Sequence, residues 1–136
     1  MRHWIFISST KQFRMHDWLS DNDFVEYVQK NKVQVNDIVY LYTTAPIQRI
    51  EYKMIVEKIN IPFDETVDDS AYQMPQTPSR VINKNVLHVR LGLIEKVDNP
   101  LLHLNFLRGY GLRSSMQSAI TVSGELLEYI DSKFSK

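Results

Sequence analysis

The sequence predicts an α+β domain: a small, strongly twisted barrel of mixed, mostly antiparallel strands with short flanking helices and a helix near its C-terminal end. Three runs of residues carry that prediction. The first, Asp37-Ile38-Val39-Tyr40-Leu41-Tyr42-Thr43-Thr44-Ala45-Pro46, is dense in β-branched and aromatic residues and is bounded by Asn36-Asp37 and by Pro46, so it reads as a buried central strand. The second, residues 50–59, sets Ile50, Tyr52, Met54 and Val56 against Glu51, Lys53 and Glu57, the pattern of a half-solvated antiparallel strand. Beyond Ile55 the apolar parity switches to Ile55, Ile59 and Ile61, which places a bulge near residues 56–58 and bends the strand. The third, residues 86–97, alternates Val86, His88 and Arg90 with Leu87, Val89, Leu91 and Leu93, then shifts past Gly92, as a long strand with a glycine kink does. Long bent strands of this kind build small barrels.

The remaining elements follow in order. Residues 4–8 form a first strand, and 11–15 a polar loop. From Asp17 the apolar pairs Trp18, Leu19, Phe24, Val25, Tyr27 and Val28 predict two short helices, the first capped by Asp17 and the second spanning about residues 23–30 after Asp21-Asn22-Asp23. Asn36 can take the left-handed conformation of the turn before the central strand. Residues 62–79 hold three of the five prolines and an acidic patch, and read as a long loop. Residues 100–107 suit a short helix with proline in its first turn, Gly109-Tyr110-Gly111 ends it, and 112–120 is irregular. Ser123 opens a final helix through Phe134 that buries Leu126, Leu127, Ile130 and Phe134.

A chain of 136 residues with 43% hydrophobic and 24% charged residues is one folded domain. It has no cysteine, which excludes disulfides and thiolate metal sites. The short apolar run at the N-terminus suits a strand better than a signal peptide, and no stretch approaches the roughly 20 apolar residues that span a bilayer. The expected location is cytoplasmic, with no membrane partner. A formal net charge of zero argues against holding nucleic acid by bulk electrostatics. Residues 80–113 nevertheless carry six basic residues against two acidic ones, a local excess balanced by Asp64, Glu65, Asp68 and Asp69 and by the last helix.

The search for catalytic chemistry is nearly empty. His3, His16, His88 and His103 have no metal-ligand spacing, so no metal and no cofactor are expected. Ser8-Ser9 and Ser114-Ser115 lack a nucleophile context, and Gly109-Tyr110-Gly111 is a helix stop rather than a phosphate loop. What stands out is aromatic residues beside polar loops: Trp4, Tyr27, Tyr40, Tyr42 and Tyr52. Each has a flat apolar face and a polar edge that suit stacking on a nucleobase, with core packing as the alternative for each. The segment Thr43-Thr44-Ala45-Pro46-Ile47-Gln48-Arg49 offers hydroxyls, backbone donors and one cation at the end of a buried strand, with a plain strand connection as its alternative.

Tyr27-Val28-Gln29, Val35-Asn36-Asp37-Ile38-Val39-Tyr40-Leu41-Tyr42 and Pro46-Ile47-Gln48-Arg49 with the strand that follows resemble the EVE domain family of the PUA-like superfamily, as does Ser115-Met116-Gln117-Ser118 before the last helix. The resemblance spans nearly the whole chain. It implies a single compact EVE-like pseudo-barrel whose cleft accepts one flipped-out base, a non-catalytic module that recognises a modified, for example methylated, base in DNA or RNA, beside a nuclease or other processing protein. Carried over position by position, it implies Trp4 and Tyr27 as stacking faces, Gln29 and Gln117 as hydrogen-bonders to the base edge, Tyr42, Thr43 and Thr44 as cleft lining, and Arg49 as a phosphate contact. The chain departs from the family pattern at Asn36, where glycine is usual, at Met116, where proline is common, and at Tyr27, where tryptophan is common. The rival readings are an RNA-binding PUA-like module indifferent to modification, a small hydrolase of modified nucleosides or amides using Lys53, Glu57 or Arg90, and an interaction protein docking through residues 62–79.

Overall fold

In the computed structural model, residues 1–74 and 86–136 are described. The end of the expected long loop and the basic Arg80 and Lys84 lie outside the described residues. The chain runs β1 (His3–Ser8), α1 (Met15–Asp21), β2 (Phe24–Val28), β3 (Ile38–Thr43), β4 (Arg49–Ile61), β5 (His88–Lys96), α2 (Leu104–Gly109), β6 (Ile120–Val122) and α3 (Gly124–Asp131). Single 3-10 turns stand at Phe63–Glu65, Ser70–Tyr72 and Pro100–Leu102. The strands form one six-stranded sheet in the order β2-β5-β4-β3-β1-β6, in which only β1 and β3 run parallel.

Side-chain alternation divides the core between the two faces of this sheet. Trp4, Phe6, Val39 and Leu41 point to one face and pack with Met15, Trp18 and Leu19 of α1. Ile5, Tyr40 and Tyr42 point to the other and pack under α2 and α3 with Leu104, Leu107, Ile130 and Phe134. A one-residue slip of β3 would exchange the two sets, so its register is strongly specified. Asn36 has φ 75°, the expected left-handed turn, and its N–H and the N–H of Val56 close the β3–β4 junction at 2.8 Å each.

Several expectations change. Helix α1 opens at Met15, ahead of Asp17, which lies in its first turn; α3 ends at Asp131 rather than at Phe134; and Ile120, read as irregular, opens β6. Two further changes bear on the site. Residues 24–28 form an edge strand rather than a second helix, with Phe24 opposite Gly92 and Val28 opposite His88. Four of those five residues are aromatic or β-branched, and pairing along β5 outweighs the helical spacing of their apolar side chains. The start of β4 is buried on both faces rather than half-solvated. Its register shifts between Leu41 and Tyr42, leaving Glu51 as an extra residue, so Tyr52 and Met54 face α1 while Ile50 faces α2 and α3. Glu51 is 3% exposed, and Lys53, at 9%, donates to Asp131 Oδ1 and to the Lys136 carbonyl at 2.7 Å each. The bulge expected near residues 56–58 is present as a register shift between Val56 and Lys58, one of three against β5.

His16 pins α1 to β4. Its Nε2 lies 2.9 Å from Glu51 Oε1 and its Nδ1 2.8 Å from the Tyr52 hydroxyl. One neutral tautomer satisfies both contacts, with Nε2–H donating to the carboxylate and the tyrosine donating to Nδ1. Burial, and secondarily the Glu51 charge, holds the Tyr52 phenol protonated well beyond its ordinary range.

Candidate functional site

The sheet curls until the edge strand β2 nears β1, and the curl stops one contact short of a ladder. Tyr27 Oη donates to the Ile7 carbonyl at 3.2 Å, and the Tyr27 and Phe6 rings meet edge to face at 5.6 Å between centroids. No strand pairing joins β1 to β2 among the described residues, so the barrel keeps an open seam there.

A cavity of about 610 Å³ occupies that seam. Its size falls within the roughly 300–1,000 Å³ usual for ligand pockets. Phe6, Ser8 and Ser9 supply one wall, Val25, Tyr27, Lys30 and Asn31 the opposite wall, Phe13 and Met15 a third, and the 116–119 segment with Thr44 the fourth. The apolar faces and soft methionines suit a flat ring, and the amides and hydroxyls suit its polar edge.

The tyrosine at the centre of this cavity is fixed in orientation and in charge. Enclosure raises the Tyr27 phenol far above its usual value, a shift only partly opposed by a hydrogen bond donated by the Ser8 hydroxyl. Tyr27 is therefore neutral at any ordinary pH. Its hydroxyl is spent on the seam, which leaves its ring for contact with a ligand. Glu26 also borders the cavity, but its charge is met by Arg90 at 3.0 Å and by the N–H of Val67 at 2.8 Å. Lys30 is the cation among the lining residues.

Of the residues singled out by sequence, Tyr27, Thr44 and Gln117 come together at this cavity and the others do not line it. Trp4 shares the face of Phe6 and Ser8 but sits deeper in the core, where its Nε1 donates to Asp37 Oδ2 at 3.1 Å. Tyr42 points to the opposite face of the sheet, a consequence of β3 parity. Thr43 lies in register beside Ser8 and is buried, its hydroxyl without a partner among the described residues. Gln29 is turned to Asn60, donating from Nε2 at 2.8 Å and accepting from the Asn60 N–H at 2.7 Å. Arg49 spends its guanidinium on Asp98 at 2.6 Å. The residues raised for hydrolysis also lie elsewhere: Lys53 is held under the C-terminal residues, Arg90 is paired with Glu26, and Glu57 is not a lining residue. Phe6, Met15 and Asn31 are lining residues the sequence did not single out. Asn31 lies three residues past the end of β2.

Among the described residues, no cluster of three or more His, Asp or Glu is placed to hold a metal ion, and no helix is long and apolar enough to cross a membrane.

No protein-family model matches the chain, and no curated protein matches it in sequence. Its fold does match solved structures over nearly its whole length. An ASCH protein from Zymomonas mobilis superposes with a TM-score of 0.65 at 10% identity, covering 96% of this chain and 94% of that one. A Pseudomonas syringae protein superposes at 0.66 with 16% identity, covering 96% and 97%. Human THYN1, solved in complex with 5-methylcytosine-containing DNA, superposes at 0.65 with 12% identity, covering 97% and 96%. At these identities the likeness shows the fold, which is the PUA-like α+β half-barrel that the sequence resemblance implied.

Proposed function

We propose that this chain is a non-catalytic nucleic-acid-binding module that takes a single modified base, flipped from its stack, into the cavity between β1 and β2. The observation that carries the proposal is the cavity itself, opened at the seam and lined by a neutral, hydrogen-bond-locked tyrosine with Gln117 and Thr44 beside it. The fold of human THYN1, seen with 5-methylcytosine-containing DNA, supports a base as the ligand. In this reading Tyr27 stacks on the ring, Gln117 and Asn31 read its polar edge, and Met15 and Met116 contact an added methyl group. Trp4, Tyr42 and Thr43 support the walls from behind, and Arg49 ties the start of β4 to Asp98 beyond β5 rather than touching phosphate. Flipping costs a few kcal/mol, least in single strands, so the module selects bases that are easily unstacked. With no net charge to hold the polymer, a partner that delivers the nucleic acid is expected.

The test is a low-salt titration of labelled single- and double-stranded DNA and RNA carrying cytosine or adenine, plain, methylated or hydroxymethylated. Tighter binding of one modified form, weakened by Tyr27→Ala and by Gln117→Ala, supports the reading. Equal binding of all forms leaves the RNA-binding alternative. Absence of binding removes both and sends the search to hydrolysis of modified nucleosides.

A further inference from the structure

The loop between α2 and β6 borders two depressions with different parts of its length. Residues 116–119 wall the base cavity, while the residues on either side of them, 110–114 and 120–123, border with Glu125 and Leu126 a shallow open groove of about 460 Å³. The Gly109-Tyr110-Gly111 turn stands over this second groove. Resting on the reading given above, we propose that the groove is the site of an adjoining nucleotide of the same strand, whose base stacks on Tyr110 and whose phosphate meets Arg113.

The turn is built as a platform. Tyr110 N–H and Leu112 N–H both donate to the Leu107 carbonyl at 3.1 Å, and buried Leu112 anchors the far side of the turn. Gly111 has φ 106°, which a side chain at that position would strain. The Tyr110 ring lies on Tyr129, with centroids 3.8 Å apart and planes 19° from parallel. Lys133 Nζ lies 4.7 Å from the Tyr129 ring, and the Tyr129 hydroxyl donates to the Leu101 carbonyl. A cation and two rings are thus arranged in series, and Tyr110, at the end of the series, is 40% exposed. A Cβ added at Gly109 or Gly111 would meet nothing within 4 Å, so a ligand backbone can approach the turn closely.

Charge and continuity select the occupant. From Asn99 to Ser123 there is no acidic residue, while Arg108 and Arg113 flank the turn; Glu125 is the acid at the groove's border. A stacking platform beside exposed arginines is how single strands are held without sequence readout. A strand with one base in the cavity must pass over the 114–119 segment or away from it, and the groove makes passage over it the favourable route.

The experiment measures anisotropy of the whole chain with 5-methyl-dCMP and with single-stranded DNA of three to nine nucleotides bearing one central 5-methylcytosine. Each length is repeated with an abasic site 5′ or 3′ of the modified base. The proposal expects affinity to rise from mononucleotide to trinucleotide. Tyr110→Ala should weaken the trinucleotide about 5- to 150-fold, the range of one base–aromatic stack, and leave the mononucleotide unchanged. Tyr110→Phe should bind as the parent does. An abasic site on one side should copy the Tyr110→Ala loss and add nothing to it. Arg113→Gln should lower the salt slope of the trinucleotide by about 0.7. A trinucleotide that gains nothing over the mononucleotide, or a gain untouched by Tyr110→Ala, overturns this inference and leaves the cavity reading standing. Wild-type protein that binds no modified form overturns both.

Discussion

Replacing Asp37 tests the least visible support of the site. This carboxylate is 1% exposed and accepts three hydrogen bonds, from Arg2 N at 2.9 Å, Gln34 N at 3.0 Å and Trp4 Nε1 at 3.1 Å. It therefore ties the entry of β1, the turn before β3 and the core tryptophan to one point. Hydrogen bonds to a charged group contribute about 1.5–3 kcal/mol each. The Arg2 end reaches solvent and recovers much of its share, so Asp37→Ala should cost about 3–5 kcal/mol, a large part of the roughly 5–15 kcal/mol that holds a domain folded. Asp37→Asn keeps the shape and one acceptor but turns an amide toward a donor, and should cost about 1–3 kcal/mol. Burial alone would raise the Asp37 pKa, but the donors from Arg2, Gln34 and Trp4 prevail and hold it below its ordinary value. A carboxylate lowered by folding contributes its stability above the unfolded value, about 3.9, and loses it as pH falls through the folded value. Urea unfolding followed by tryptophan fluorescence should thus show wild type and Asp37→Asn well apart at pH 7 and converging below about pH 4. An Asp37→Asn protein as stable as wild type at pH 7, or a gap that stays constant down to pH 3, would refute the argument.

Three further outcomes follow. Tyr27→Phe removes the hydroxyl that closes the seam and keeps the stacking face, so it should cost about 1 kcal/mol of stability and change the preference among bases more than the affinity, whereas Tyr27→Ala should weaken binding by about 1–3 kcal/mol; calorimetry and titration separate the two. In Lys53→Met, Asp131 loses the first cause of its lowered pKa while keeping the Tyr40 hydroxyl, so its titration, read by NMR of the carboxyl carbon, should move up toward the ordinary carboxylate range. Asn36 has φ 75°, so Asn36→Gly should be neutral or raise stability by up to about 1 kcal/mol in urea unfolding, and Asn36→Val should lower it.

The parts of this fold legible in sequence are those fixed by local chemistry. The β-branched and aromatic run at 38–43, the turn at Asn36 and the slip past Val56 all declare themselves within a few residues of chain. The parts that were not legible depend on what packs where. Residues 24–28 pass for a helix until β5 is beside them, and Glu51 and Lys53 look solvated until α1 supplies His16 and the C-terminal residues supply Asp131. The site divides along the same line. Tyr27, Thr44 and Gln117 come from β2, the end of β3 and the loop before β6, which the topology gathers, whereas strand parity commits Trp4 and Tyr42 to the core.

The placement of the cavity follows from how the barrel fails to close. An edge strand presents unpaired N–H and C=O groups, and β2 has pairing on its β5 side alone among the described residues. Completing a ladder from β2 to β1 would satisfy those groups and abolish the cavity. Instead, Tyr27 spans the gap with a side-chain hydrogen bond to the Ile7 carbonyl, and the cavity occupies the seam beside it. The same residue thus sets the width of the opening and supplies a wall of it. On the proposed reading a net charge of zero fits this design: long-range attraction would be indifferent to base identity, whereas an enclosed cavity would discriminate by shape. If the chain takes a base as proposed, its specificity rests on the spacing of β1 and β2, and changes that alter that spacing should alter which base is accepted before they alter how tightly the polymer is held.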